Sequence, residues 1–156
     1  VLTENLTPDQ GEWRSRLADD MLTISSILVS MRRIAVLGIK TKEAGGPAYT
    51  VPAFLQARGF DIVPVPVYFP TVTHILDVSV HRSLDTIHPP ADLVQIFRRP
   101  EDLHQHVDQL IAAAPRVVWM QLGIQHAEIA EQLARSGIHV IQNRCLQVEL
   151  TKRDHR

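Results

Sequence analysis

The stretch Arg33-Ile34-Ala35-Val36-Leu37-Gly38-Ile39, followed by Lys40-Thr41-Lys42-Glu43-Ala44-Gly45-Gly46 and then Pro47-Ala48-Tyr49, decides how this chain folds. Its first part is a short, continuous apolar run rich in branched side chains. That is the composition of a strand buried on both faces, as in a parallel sheet. Gly38 breaks the run, a polar glycine-rich loop follows, and Pro47 suits the first turn of a helix. Val51, Phe54 and Leu55 give that helix one apolar face, and Gly59 supplies its stop. Phe60–Val67 is then a second strand, whose end Pro64 and Pro66 mark because they limit ladder hydrogen bonding.

The same alternation extends downstream. Tyr68–Leu76 carries no clear period, and Val78–His81 is expected as a short third strand. Ser83–Ile87 reads as a helical turn ended by Pro89-Pro90. Asp92–Phe97 is a stronger strand, which Arg98-Arg99-Pro100-Glu101 turns into a helix reaching about Ala113. Arg116–Leu122 is another buried strand, Gln125–Ser136 a helix stopped by Gly137, and Ile138–Gln142 a last strand. Upstream, Thr7-Pro8-Asp9-Gln10 carries capping signals for a helix to about Leu17. Met21–Met31 has apolar residues at helical spacing and ends at Arg32-Arg33, charges that suit a helix C-terminus. The expected organisation is a helical lead-in (1–32), a Rossmann-like domain (33–150) and a polar tail (151–156). Strands alternating with helices predict a three-layer α/β domain around a mostly parallel five-stranded sheet.

Composition narrows the function. The 156 residues suit one domain, and 45% hydrophobic content indicates neither a disordered chain nor a membrane protein. Met21–Met31 is interrupted by Thr23, Ser25, Ser26 and Ser30, too short and polar to span a bilayer and unlike a signal peptide. Cytoplasmic residence is the expectation. Sixteen basic against seventeen acidic residues give a net charge of −1, so neither nucleic acid nor a membrane surface is an expected partner. The single cysteine, Cys145, excludes an internal disulfide framework and a cysteine-based zinc site. The eight histidines are scattered, and no metal is expected.

Ligands of open α/β sheets lie outside the carboxyl ends of the strands. The candidate loops therefore follow Ile39, Val65, Phe97 and Leu122. In the first, glycines allow close backbone approach, the helix at Pro47 offers N–H groups, and Lys40 and Lys42 add charge. Together they favour a phosphate or pyrophosphate; the alternative is a surface loop with two solvated lysines. The loop is neither GxGxxG nor the P-loop pattern. Phe97-Arg98-Arg99 can hold an adenine and a phosphate, or Phe97 can be core and the arginines can pair with Glu101 or Asp102. Gln121 can bond a ligand amide, whereas Gly123 can simply begin a turn. His126 is a general base or a surface residue at a helix start. Cys145 is a thiol activated by Arg144 or a small core residue. No Ser–His–Asp grouping and no carboxylate pair stands out, so nothing argues for catalysis.

Seven segments in a fixed order carry a family resemblance: RRIAVLG (32–38), Pro47-Ala48-Tyr49, Gly59-Phe60-Asp61-Ile62-Val63-Pro64-Val65, Arg82-Ser83-Leu84, IFRRPE (96–101), VWMQLGI (118–124) and NRC (143–145). With them the chain resembles, from about Arg33 to Glu149, the small stand-alone CoA-binding proteins related to the CoA-binding domain of succinyl-CoA ligase α subunits. The resemblance implies a Rossmann-like domain holding CoA by its ADP and pyrophosphate. Gly38, Ile39, Lys40, Thr41, Lys42, Pro47, Ala48 and Tyr49 would cradle phosphates, and Val65 and Pro66 would line the nucleotide. Phe97, Arg98, Arg99 and Pro100 would hold the adenine side, with Gln121 and Gly123 near the pantetheine. The chain departs from the family pattern at Lys40, where Ser or Thr is common. It departs again at Gly46-Pro47-Ala48, where a base and Pro-Ser are common, and at Pro66-Val67, where Asn-Pro is common. The ligase also needs a phosphorylatable histidine and a nucleotide-using domain, so acyl-CoA synthesis by this portion alone is not expected. The leading expectation is a non-catalytic CoA or acyl-CoA binding protein, with room for a homodimer or a protein partner. The alternatives are an NAD(P)-dependent enzyme or redox protein, for which the usual acid after the second strand is absent, and an interaction module that has lost its ligand.

Overall fold

The computed structural model describes residues 11–154. The capping signals at Thr7–Gln10 lie outside the described residues. A 3-10 turn over Glu12–Leu17 precedes helix α1 (Met21–Ser30), which Asp20 caps by accepting from the Thr23 N–H and hydroxyl. Strand β1 (Arg33–Leu37), helix α2 (Pro47–Ala57) and strand β2 (Asp61–Val65) follow. A small hairpin comes next, β3 (His74–Ile75) and β4 (Val78–Ser79). The second half is β5 (Leu93–Ile96), a 3-10 turn over Pro100–His106, α3 (Val107–Ala113), β6 (Val117–Met120), α4 (Ala127–Arg135), β7 (His139–Ile141) and α5 (Leu146–Asp154).

The main sheet is five-stranded in the order β2-β1-β5-β6-β7, and every pair is parallel. Chain order reverses between β1 and β5, which opens a crevice at their carboxyl ends. Because strand side chains alternate, the sheet has two buried faces. On one, Ala35, Leu37, Val94, Ile96, Val118 and Met120 pack against Leu110 of α3 and Ile129 and Leu133 of α4. On the other, Ile34, Val36, Leu93 and Trp119 pack against Ile27 of α1, Leu55 of α2 and Leu150 of α5. This is the three-layer architecture that the apolar runs predict.

Three local outcomes differ from the sequence expectation. Val78–His81 does not join the sheet as a third strand: Val78 and Ser79 pair antiparallel with Ile75 and His74. The neighbouring His81 N–H instead closes the sheet's edge by donating to the Pro64 carbonyl at 2.9 Å. β2 tolerates Pro64 because it is an edge strand, where one missing donor breaks no interior ladder. The connection from β2 to β5 therefore holds a hairpin and a 3-10 turn (Leu84–Thr86) in place of a crossover helix. Finally, residues 151–154, grouped by sequence with a polar tail, continue α5. Leu146, Val148 and Leu150 alternate like a strand, yet Leu146 and Leu150 share one helical face and are buried. The start of β1 is anchored by Asp92, whose Oδ2 accepts from the N–H groups of Arg32 and Arg33 at 2.9 Å each.

Candidate functional site

At the crevice, Gly38 leaves β1 with φ +89 and donates its N–H to the Val65 carbonyl at 2.9 Å. The Phe97 N–H, at the end of β5, donates to the Leu37 carbonyl at 2.8 Å. The two strand ends approach so closely that a Cβ added at Gly38 would collide with the Phe97 carbonyl. Glycine here answers both a backbone conformation and a lack of space.

The loop after Gly38 closes on itself. Thr41 accepts through its carbonyl from the Gly45 N–H (3.1 Å) and through its hydroxyl from the Ala44 N–H (3.2 Å). The Lys40 N–H reaches the Ala48 carbonyl at 3.1 Å. Gly46, at φ +76, is the N-cap of α2; it has no side chain to cap the first turn, and its carbonyl accepts from the Tyr49 and Thr50 N–H groups at 3.0 and 2.9 Å. The side chains of Lys40 and Lys42 are exposed, and neither forms an ion pair among the described residues. Ala48 is buried and Tyr49 half-buried against the α2 side of the core. A cleft of about 240 Å³ separates this loop from the hairpin, lined by Thr41, Lys42, Tyr49, His74 and Asp77 among others. Pro47 has no N–H, and the Tyr49 and Thr50 N–H groups are taken by the Gly46 carbonyl, so what this end of the loop offers an anion is the dipole end of α2, the Ala48 N–H and two exposed ammonium groups without an ion pair among the described residues.

The second candidate segment is built differently. Arg98 is only 8% exposed, and its guanidinium is engaged within the protein. Nε donates to His106 Nε2 (3.0 Å), and the terminal nitrogens reach Tyr68 Oη (3.2 Å) and Gln105 Oε1 (3.4 Å). Asp102 stands 3.9 Å away, and the guanidinium carbon lies 5.5 Å from the centre of the Tyr68 ring. The Arg98 stem also passes under Gly38. Arg98 therefore joins three loops of the crevice. Arg99 is exposed and bonded to Asp102 at 2.9 Å, with Glu101 at 3.6 Å. Arg99 pairs with the nearby acids, whereas Arg98 is engaged chiefly with His106, Tyr68 and Gln105. Phe97 is half-buried against the α2 side of the core, and Pro100 opens the 3-10 turn. Burial and the adjacent Arg98 charge hold His106 below the ordinary histidine range. Val65 and Pro66 are buried at the end of β2.

The third segment is largely committed to structure. Gln121 is buried; its Oε1 accepts from Gln95 Nε2 (3.1 Å) and from the Leu146 N–H (3.4 Å). Gln95, buried in the sheet, keeps an Oε1 without a partner among the described residues. Gly123, at φ +88, begins a turn, and its N–H donates to Asn143 Oδ1 at 2.7 Å. His126 caps α4: its Nδ1 accepts from the Ile129 N–H at 3.2 Å. Cys145 is half-buried against the core beneath α5, while Arg144 is drawn to Asp19 and Glu149. Sequence reasoning missed Tyr68, Gln105 and His106, which gather around Arg98 from the loop after β2 and from its own turn, and Gln95, which meets Gln121 beside it in the sheet. The pair Arg98-Arg99 was the one available pointer toward them.

The family model described as "CoA binding domain" matches residues 32–151. This chain belongs to the CoA-binding domain family. The domain spans β1 to α5 and so contains each of the loops described. Uncharacterized protein YneT of Bacillus subtilis (strain 168) is 32% identical over 125 residues, covering 80% of this chain and 90% of that protein. The structure of cell-free ID.343 from Thermus thermophilus superposes with a TM-score of 0.78 at 31% identity, over 86% of this chain and 98% of that one. A hypothetical protein from Pyrococcus horikoshii OT3 gives a TM-score of 0.78 at 25% identity, over 86% and 92%. Among the described residues, no three His, Cys, Asp or Glu side chains group to hold a metal ion, and no helix is long and apolar enough to cross a membrane.

Proposed function

We propose that this CoA-binding domain holds CoA or an acyl-CoA by its ADP and pyrophosphate part, at the crevice between β1 and β5, and carries no catalytic machinery of its own. The observation that supports the reading is the loop that leaves β1 at this crevice: Gly38 lets bare main chain close on the Phe97 carbonyl, and the segment from there to the start of α2 carries two exposed lysines without an ion pair among the described residues. A pyrophosphate is the group those features suit: the helix N-terminus offers a positive dipole end, while Lys40 and Lys42 supply full charges. The fit is uneven along the ligand. Gly38–Tyr49 presents two exposed ammonium groups, without an ion pair among the described residues. Arg98 and Gln121 are spent on protein partners, so Arg98 serves to hold Tyr68 and the Pro100–His106 turn in position rather than to bind phosphate. When bound, CoA would supply the thiol or thioester chemistry; this chain's residues bind and orient.

Calorimetric titration with CoA, ADP and NAD tests the reading. CoA and ADP are expected to bind, with NAD weaker. Replacing Lys40→Ala together with Lys42→Ala removes two phosphate contacts and is expected to weaken CoA binding about tenfold or more while leaving thermal stability unchanged, since charge-assisted bonds contribute roughly 1.5–3 kcal/mol each. No heat and no thermal shift with millimolar CoA would overturn the proposal. Unaltered affinity in the double variant would move the phosphate away from this loop.

A further inference from the structure

We propose that Tyr68 is the aromatic platform on which the adenine of the nucleotide stacks, at the mouth of the crevice between β1 and β5. Resting on the reading that an ADP part occupies this crevice, the assignment names the residue that meets the base. In an open α/β sheet the diphosphate lies at the first strand–helix loop, and the ribose and base extend toward the end of the second strand. Here β2 ends at Val65, and Tyr68 stands in the loop that follows. Arg98 joins the two places. Its stem passes under Gly38, where the loop to α2 begins, and its Nη1 donates to Tyr68 Oη at 3.2 Å. Phe97, the ring that the sequence offers for the base, packs against the core on the α2 side, whereas Tyr68 is 57% exposed.

An exposed ring on an ordinary surface is free to turn, but this one is held at both ends. The Arg98 guanidinium lies over the ring, 5.5 Å from its centre, so one face is covered from within the protein and the other is open. Arg98 is itself fixed by His106 (3.0 Å) and Gln105 (3.4 Å). The main chain is tied as firmly. Arg82 donates to the carbonyls of Tyr68 (3.1 Å), Phe69 (2.8 Å) and Val72 (2.8 Å), and these bonds hold Phe69 in the left-handed region at φ +62. Each tie removes in advance freedom that binding would otherwise have to remove. The chemistry of the open face selects the base among the parts of CoA. Phosphates require charge, and the Arg98 charge is enclosed behind the ring. Pantetheine has no flat ring to lay on it. Adenine is planar and aromatic, and it stacks on a π face without a directed hydrogen bond.

Calorimetric titration of the full chain with ADP, CoA and inorganic pyrophosphate tests the assignment. Tyr68→Ala is expected to weaken ADP and CoA by a similar factor, about tenfold, the order that base–aromatic stacking contributes. Affinity for pyrophosphate, which carries no base, is expected to stay as in wild type. Tyr68→Phe keeps the ring and gives up the bond from Arg98, and it is expected to lose less than Tyr68→Ala. Tyr68→Trp is expected to hold ADP at least as tightly as wild type, with its added emission quenched by ADP and not by pyrophosphate. Equal losses for ADP and pyrophosphate in Tyr68→Ala would reveal a structural effect and overturn the proposal. So would a wild type that binds no ADP, a loss as large in Tyr68→Phe, or emission indifferent to ADP. The two readings fail separately. CoA and ADP bound by Tyr68→Ala as by wild type would sink the platform alone, whereas ADP bound through Tyr68 without any binding of CoA would sink the CoA reading alone.

Discussion

Gly38 shows how one position ties conformation to function. Its φ of +89 and the Phe97 carbonyl against it leave no room for a side chain. Gly38→Ala is expected to cost about 3 kcal/mol, from left-handed strain and displacement of the β5 end, as measured by urea denaturation. The opposite sign is expected at Asp77. Leu76 (φ 55) and Asp77 (φ 59) form the two-residue turn of the hairpin, where both positions need the left-handed region and glycine suits the second. Asp77→Gly is expected to stabilise by about 0.5–1 kcal/mol in the same measurement. His106 is a third such position. Its folded pKa is lowered, first by burial and then by Arg98. The unfolded chain therefore takes up a proton more readily than the folded one. The stability held by neutral His106 is complete above the unfolded value near 6.5 and is lost as pH falls below it. Protonation also removes the acceptor that Arg98 Nε uses. Wild type is expected to lose urea resistance between pH 7.5 and 5.5. His106→Gln keeps an acceptor without titrating and is expected to lose less.

Among the elements, legibility followed how local the determining forces were. Arg33–Leu37, Leu93–Ile96 and Val117–Met120 were plain as buried strands, because a strand covered on both faces must be apolar at every position. Helix α2 was plain from Pro47 and its apolar face. The hairpin was not, because its strands are two residues each and its turn uses Leu76-Asp77 in place of the usual glycine pair. Helix α5 was hidden for a related reason: its helical face is only Leu146 and Leu150, and the α2 and α1 surfaces they meet are distant in sequence. The Arg58–Asp154 ion pair, joining α2 to the end of α5, is likewise invisible before folding. Leu150→Ala is expected to cost about 2–4 kcal/mol, which places α5 inside the cooperative unit.

In the whole molecule, the sheet couples two cores. Leu55 and Leu133 are both fully buried, on opposite faces. Each change to Ala is expected to cost about 2–5 kcal/mol. The two losses are expected to add within about 0.5 kcal/mol in a single denaturation transition. Separate transitions for the two variants would show instead that the faces unfold independently. The family and the three-layer architecture were legible from the chain, since both rest on strand burial, glycine stops and motif order. The loop between β1 and α2 was legible too, because glycine, proline and lysine declare their backbone and charge chemistry locally. What Arg98, Gln121 and His126 do was decided only on folding. Sequence marks a guanidinium, an amide or an imidazole as available. Whether it faces a ligand depends on which neighbours claim its hydrogen bonds: Tyr68 and Gln95 claim those of Arg98 and Gln121 from elsewhere in the fold, while His106 and the Ile129 N–H claim those of Arg98 and His126 from the turn each residue opens.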